Sequence, residues 1–248
     1  MRTVFLNYIK RRQVAMITAI TAAPRNEDPT IIARAAAVCY LLDFAFAPGM
    51  IALGKIFVAD DAARTASNLI AHQALFQLGF SGNLIAIVTY VGVIALFHVL
   101  FRPVNSTVSV IAAACGLVGC AVLAFDCLFY YAPIVALETG QGSPQSQQLG
   151  LLFMKLYSTG FNISIVFFSF YCLLIGYLIY KSDFIPAPIG VLMMLAGLLW
   201  AVFLSPPLAR GAMPWIRAAG IGELVLTLWL LFRGVDRERW IARRAELS

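Results

Sequence analysis

Residues 78–101 read "LGFSGNLIAIVTYVGVIALFHVLF", a run without one Asp, Glu, Lys or Arg. A bilayer's hydrocarbon core, ~30 Å thick, is crossed by about 20 consecutive apolar residues in a helix. This stretch is long enough. In hydrocarbon only helices and closed barrels satisfy their own backbone. A barrel strand would alternate over segments of roughly ten residues, and no such alternation occurs, so the stretch is read as a membrane-spanning helix.

Working outward, the same signal recurs. The chain has 248 residues, 61% of them hydrophobic and 12% charged, with a mean hydropathy of +0.86. Soluble domains carry about 25% charge, and the charges here crowd into short segments between apolar runs. Six spans are expected, at 31–58, 78–101, 107–132, 159–180, 185–204 and 214–232. Pro48-Gly49 marks a kink or early end in the first. Asp60-Asp61 opens "ADDAARTASNLIAHQALFQ" and Ser143-Pro144 opens "GSPQSQQLGLLFMKLYS". An acid or serine at the cap and a proline in the first turn are helix starts. The fold class is therefore an all-α polytopic membrane protein, six transmembrane helices in one bundle, with amphipathic helices leading into spans two and four. Three regions follow: an interfacial N-terminal segment (1–30), a membrane domain (31–235) and a basic tail (236–248).

Threading follows from lysine and arginine near span ends. With the N-terminus inside, 13 of the 18 basic residues fall on the cytoplasmic side, and Lys55, Arg64, Lys155, Arg210 and Arg217 fall outside. Both termini are expected in the cytoplasm. The net charge of +6 is then an orientation signal, so the partner is the lipid bilayer and not nucleic acid. "IKRRQVAMITAITAAPR" at 9–25 also resembles a signal peptide. Cleavage would leave Arg25 and Arg34 outside, against the charge rule, so an interfacial helix on the anionic inner leaflet is preferred.

An acid at the centre of a spanning helix costs roughly 2.5–3.5 kcal/mol, and such groups face the bundle interior, where they pair or meet water. Glu223 in "AAGIGELVLTLWLLFRG" (218–234) and Asp43 in "AVCYLLDFAF" (37–46) both fall near mid-depth. Asp126 falls near the outer interface, where solvation is an equally good account. Helical spacing adds companions: Ala219, Gly220 and Thr227 on the face of Glu223, and Asn68, His72, Gly79, Asn83 and Tyr90 along the second path. On the fourth span Lys155, Ser158 and Asn162 share a face, and Asp126 and Tyr130 form an i, i+4 pair. The candidate ligand-binding set is Glu223, Asp43, Asp126, Asn162, Asn83 and His72, arranged as an outward-facing polar vestibule. The plainer alternative is that each polar group bonds a neighbouring helix. A protonated Glu223 would itself donate one such bond.

Cys39, Cys115, Cys120, Cys127 and Cys172 all lie inside apolar runs, with no CxxC or Cys/His metal spacing. His72 and His98 are too far apart along one helical path, ~39 Å at ~1.5 Å per residue, to share a metal. No HExxH, phosphate loop or serine elbow is present, so no catalytic residue, metal or cofactor is assigned. "CGLVGC" (115–120) offers a small-residue surface for close helix contact, and so for a helix–helix oligomer through span three.

"ARAAAVCYLLDFAF" (33–46), "ASNLIAHQALFQLGF" (66–80), "KLYSTGFNISIVFFSFYCLLIGYLIYKSDFIPAPIGVLMMLAGLLW" (155–200) and "IGELVLTLWLLFRGV" (221–235) together resemble a bacterial integral membrane family called domain of unknown function 4386. The likeness covers residues 31–235 and rests on the order of the segments. It implies a six-span protein of the bacterial cytoplasmic membrane and supplies no function. Glu223 matches the family's "GEL" and Phe161 its "GF". Tyr157 stands where a histidine would be expected, and Asp183 lies in a turn that usually carries a glycine.

Three functions fit this reading. The first is binding or passing a small hydrophobic or amphiphilic molecule; the second is a structural or regulatory membrane partner. The third is an enzyme on a lipid or quinone, with Asp126, His72 or Glu223 in acid–base roles. The threading has a direct check. Green fluorescent protein fused after Ser248 is expected to fluoresce in the bacterial cytoplasm, and alkaline phosphatase inserted in the 205–213 connection to be active outside.

Overall fold

The computed structural model describes residues 28–46 and 54–246. The interfacial helix expected in the N-terminal segment and the Pro48-Gly49 kink lie outside these residues. All described regular structure is helical: α1 (Pro29–Phe46), α2 (Ala62–Ala71), α3 (Gln73–Phe101), α4 (Ser106–Thr139), α5 (Pro144–Lys181), α6 (Ala187–Trp200), α7 (Pro206–Phe232) and α8 (Arg237–Ala245), with a 3-10 turn at Ala201–Leu204.

Four of the described helices are long and apolar enough to cross a membrane: α3, α4, α5, and α6 extended through its 3-10 turn to Leu204. Six were expected. The first expected span is described only to Phe46, as an 18-residue helix carrying Arg34 and Asp43. In the sixth only Gly220–Phe232 counts as an apolar helix, and a short one.

The expected starts are present. Asp61 accepts a hydrogen bond from the Arg64 N–H at 2.8 Å, which begins α2, and Ser143 accepts from the Ser146 N–H with Pro144 in the first turn of α5. The two lead-in helices behave differently. Helix α2 ends at His72 and is separate from α3, whereas the lead-in to the fourth span runs on without a break. Helix α5 thus has 38 residues and spans ~57 Å, nearly twice the ~30 Å core. Helix α4 passes through Pro133 to Thr139 instead of ending near Ala132. The extra turns of α4 and α5 enclose a second apolar cluster with α2, in which Leu69, Phe76, Tyr130, Leu137, Met154 and Tyr157 are buried.

The main core is formed by helices that pack in chain order, α1 on α3, α3 on α4, α4 on α5, α5 on α6, α6 on α7, with α7 returning to α1. The packing order therefore closes on itself. Helices α5 and α6 approach backbone to backbone. A Cβ on Gly176 would sit 2.7 Å from the Gly190 carbonyl oxygen, and one on Gly190 2.6 Å from the Gly176 oxygen. Only glycine fits at both crossings. Outward-facing apolar side chains such as Val88, Leu78, Leu128 and Phe125, 62–72% exposed, form the surface that hydrocarbon would cover.

Both described ends lie at one end of the helices, where Arg237 reaches Asp28 at 3.9 Å. There α8, capped by Asp236, docks on the bundle. Trp240 is 1% exposed and its Nε1 donates to the Leu100 carbonyl at 2.9 Å. The turn residue Asp183 has φ +55°, a region where an ordinary side chain is strained. Its carbonyl accepts from Arg239 at 3.0 Å and its carboxylate pairs with Arg243 at 2.9 Å, which accounts for an aspartate in a turn that suits glycine. Truncating a buried tryptophan costs about 3–5 kcal/mol. Trp240→Ala is accordingly expected to lower the thermal unfolding midpoint of the purified protein sharply, whereas Arg243→Ala, which loses an exposed ion pair worth at most about 1 kcal/mol, barely moves it.

Candidate functional site

Gly234, just past α7, lies against Thr30 at the start of α1, which sets the two helices at a common level. Tyr40 is ten residues above that level on α1 and Glu223 eleven above it on α7, ~15 Å at ~1.5 Å per residue. There they meet. Tyr40, fully buried, donates its hydroxyl to Glu223 Oε2 at 3.2 Å. Trp200 Nε1, at the end of α6, donates to Oε1 at 3.0 Å. Cys172 Sγ, on α5, donates to the same oxygen at 3.7 Å.

One carboxyl thus joins α1, α5, α6 and α7. Each of its two oxygens is met by a neighbouring side chain. The magnitudes explain the arrangement. An average interhelical bond of ~0.6 kcal/mol does not offset a mid-membrane acid costing roughly 2.5–3.5 kcal/mol. Several bonds converging on one carboxyl, each about 0.5–1.5 kcal/mol and more where it is charged, do. Gly222 makes the approach feasible, since a Cβ there would stand 2.7 Å from the Leu192 carbonyl of α6. Thr227, one turn on, is fully buried and bonds back to the Glu223 carbonyl at 2.7 Å.

A cavity of about 250 Å³ opens beside this acid. Glu223, Asp43 and Asn83 supply polar groups to its wall, and Tyr90, Phe44, Phe161, Phe168 and Trp200 supply rings. Asp43 is half-buried and one turn beyond Tyr40. Among the described residues it has neither a hydrogen bond nor an ion pair. Asn83 donates to the Tyr157 hydroxyl at 3.0 Å, and the Tyr40 and Tyr90 hydroxyls are 3.3 Å apart. Rings stack edge-on around the site, Tyr90 on Phe168 at 4.9 Å and on Tyr40 at 5.4 Å between centroids.

The other expected residues lie elsewhere. Asn162 is half-buried and does not line the cavity. His72 is exposed in the break between α2 and α3, so it and Asn68 do not continue the face of Gly79, Asn83 and Tyr90. Asn68 instead donates to the Ile56 carbonyl at 3.2 Å. Lys155 and Ser158 are exposed, and Lys155 pairs with Asp60 at 3.0 Å. Asp126 is not solvated. It is 1% exposed, neither of its oxygens has a hydrogen-bond partner, and it lies against Gly160 of α5. Its i+4 neighbour Tyr130 donates to the Phe76 carbonyl at 3.1 Å instead. Neither Asp126 nor His72 lines the cavity that Glu223 lines. The small residues Gly116 and Gly119 face Ile94, Tyr171 and Phe168 of the same chain.

Tyr40, Trp200 and Cys172 are the functional partners that sequence reasoning missed. The available signal was Tyr40 one turn from Asp43, on the face that an inward-looking acid defines.

A family model described as Domain of unknown function (DUF4386) matches residues 35–234. No curated protein and no solved structure matches the chain.

The contact between Asp126 and Gly160 yields a stability test. A Cβ on Gly160 would overlap the Asp126 carboxylate, and overpacking costs about 1–3 kcal/mol. Gly160→Ala is expected to lower the unfolding midpoint, and adding Asp126→Ala to recover most of the loss. Additive losses in the double variant would show that the two residues do not touch.

Proposed function

The chain belongs to the family of domains of unknown function DUF4386, and we propose that it is a multi-pass membrane protein that binds or passes a small hydrophobic or amphiphilic molecule through the cavity at Asp43 and Glu223. The observation that carries this reading is the cavity itself: an aromatic-walled space of about 250 Å³, lined by an acid that has no partner among the described residues. Scaffolding explains Glu223, whose bonds tie four helices together. It gives no role to Asp43, which lines the cavity and has no partner among the described residues.

In this reading α1 and α7 complete a six-span bundle with α3, α4, α5 and α6, in the bacterial cytoplasmic membrane with both termini inside. Supporting it are the two described ends at one end of the helices and the excess of basic residues on the segments that end would hold. An oligomer through α4 would use its outer face, where Leu117, Phe125 and Leu128 are 47–63% exposed, because the glycine face is already occupied.

Native mass spectrometry of the protein purified in nanodiscs tests the proposal. A small molecule is expected to accompany the wild-type chain, to be depleted in Glu223→Gln, and to be lost in Ala86→Phe, which fills the cavity from α3 without removing either acid. The same bound profile in all three proteins would overturn the reading.

A further inference from the structure

We propose that the cavity takes a small lipophilic cation, an amine or quaternary ammonium carrying one ring or a short alkyl body. This deepens the binding reading and rests on it.

The hydrogen-bonding groups on the wall are mostly committed as donors. Tyr40 donates its single hydroxyl hydrogen to Glu223, so in the 3.3 Å pair of Tyr40 with Tyr90 the donor is Tyr90. Neither hydroxyl then has a hydrogen left for a guest. The Trp200 indole N–H is committed to Glu223 at 3.0 Å, and Asn83 uses one of its two amide hydrogens on Tyr157 at 3.0 Å. What faces the cavity free is mostly acceptor: both oxygens of Asp43, a lone pair on Tyr90, and the Asn83 carbonyl. A guest bearing a carbonyl, a quinone oxygen or an anion would find one amide hydrogen and the weakly donating thiol of Cys120. A guest bearing N–H⁺ or N–CH₃⁺ would find a carboxylate.

The walls agree. The rings of Tyr90, Phe168, Phe161, Phe44 and Trp200 line the space, and an aromatic ring presenting its face attracts a desolvated cation by about 2 kcal/mol or more. No Lys, Arg or His is among the cavity's lining residues, so no described side chain on the wall supplies the balancing charge. A buried carboxylate is costly unless paired, and an incoming cation pairs it. Size limits the guest: about 250 Å³ lies between the ~150 Å³ that encloses a benzene and the ~300 Å³ at which drug-sized pockets begin.

The test compares benzyltrimethylammonium with neopentylbenzene, the same shape with carbon in place of the charged nitrogen. Each is titrated calorimetrically into the full chain in nanodiscs, with empty nanodiscs subtracted. The cation is expected to bind at least about tenfold tighter than its neutral twin, in line with one carboxylate contact and a cation–π wall. In Asp43→Asn, which breaks no bond seen in the structure, the preference is expected to fall to below about threefold while neopentylbenzene binding is unchanged. Equal binding of the two by the wild-type protein, or tighter binding of the neutral one, would overturn the cation assignment and leave the cavity reading standing. If neither binds while Ala86→Phe also leaves the co-purifying profile unchanged, both fail. The wild-type comparison decides the matter even if the variant does not fold.

Discussion

A carboxyl group buried where four apolar helices meet must be solvated by protein, and the arrangement of this chain follows from how Glu223 achieves that. Its two oxygens draw in a tyrosine from α1, a tryptophan from the end of α6 and a cysteine from α5. Each donor sits on a different helix, so the bonds are only made when those helices close around α7. The return of α7 onto α1 is the packing expression of the same constraint. The glycine crossings of α5 and α6 bring the backbones near enough for Trp200 and Cys172 to reach one oxygen together.

The two acids on the cavity wall have opposite situations, and the contrast separates structure from function. Glu223 meets three donors; Asp43 meets none among the described residues. Three donors on one acid are a stable answer to burial, while an acid without a described partner on a cavity wall is, in the proposed function, one that a guest would complete. Asp126 is a third case. Being 1% exposed and pressed on Gly160, it has no room for a guest, and its neighbours in the second cluster are aromatic and aliphatic.

Much of the fold was legible because hydropathy over twenty residues is a strong signal. The uncharged run at 78–101 is the apolar body of α3, and caps at Asp61 and Ser143 were readable from residue type alone. Glu223 and Asp43 stood out because an acid in an apolar run is expensive wherever the run goes. The donors around Glu223 did not stand out. Tyr40, Cys172 and Trp200 are ordinary membrane-helix residues, and only the three-dimensional closure gives them a role. Asp126 was misplaced for a physical reason: Pro133 does not end α4, which continues to Thr139. Protein from α2, α4 and α5 fills a level where water was expected. His72 likewise sits in a break between two helices that a continuous periodicity had joined.

The claim on which the rest depends is the Glu223 hub, and a double-mutant cycle between Tyr40→Phe and Glu223→Leu, read as unfolding free energy in detergent, addresses it most directly. In the wild-type background the lost hydroxyl strands part of a buried carboxyl; in the leucine background it strands nothing. The account predicts a coupling of about 0.5–3 kcal/mol between the two positions. Losses that add to within about 0.3–0.5 kcal/mol would mean that the tyrosine and the acid do not meet, and would contradict it.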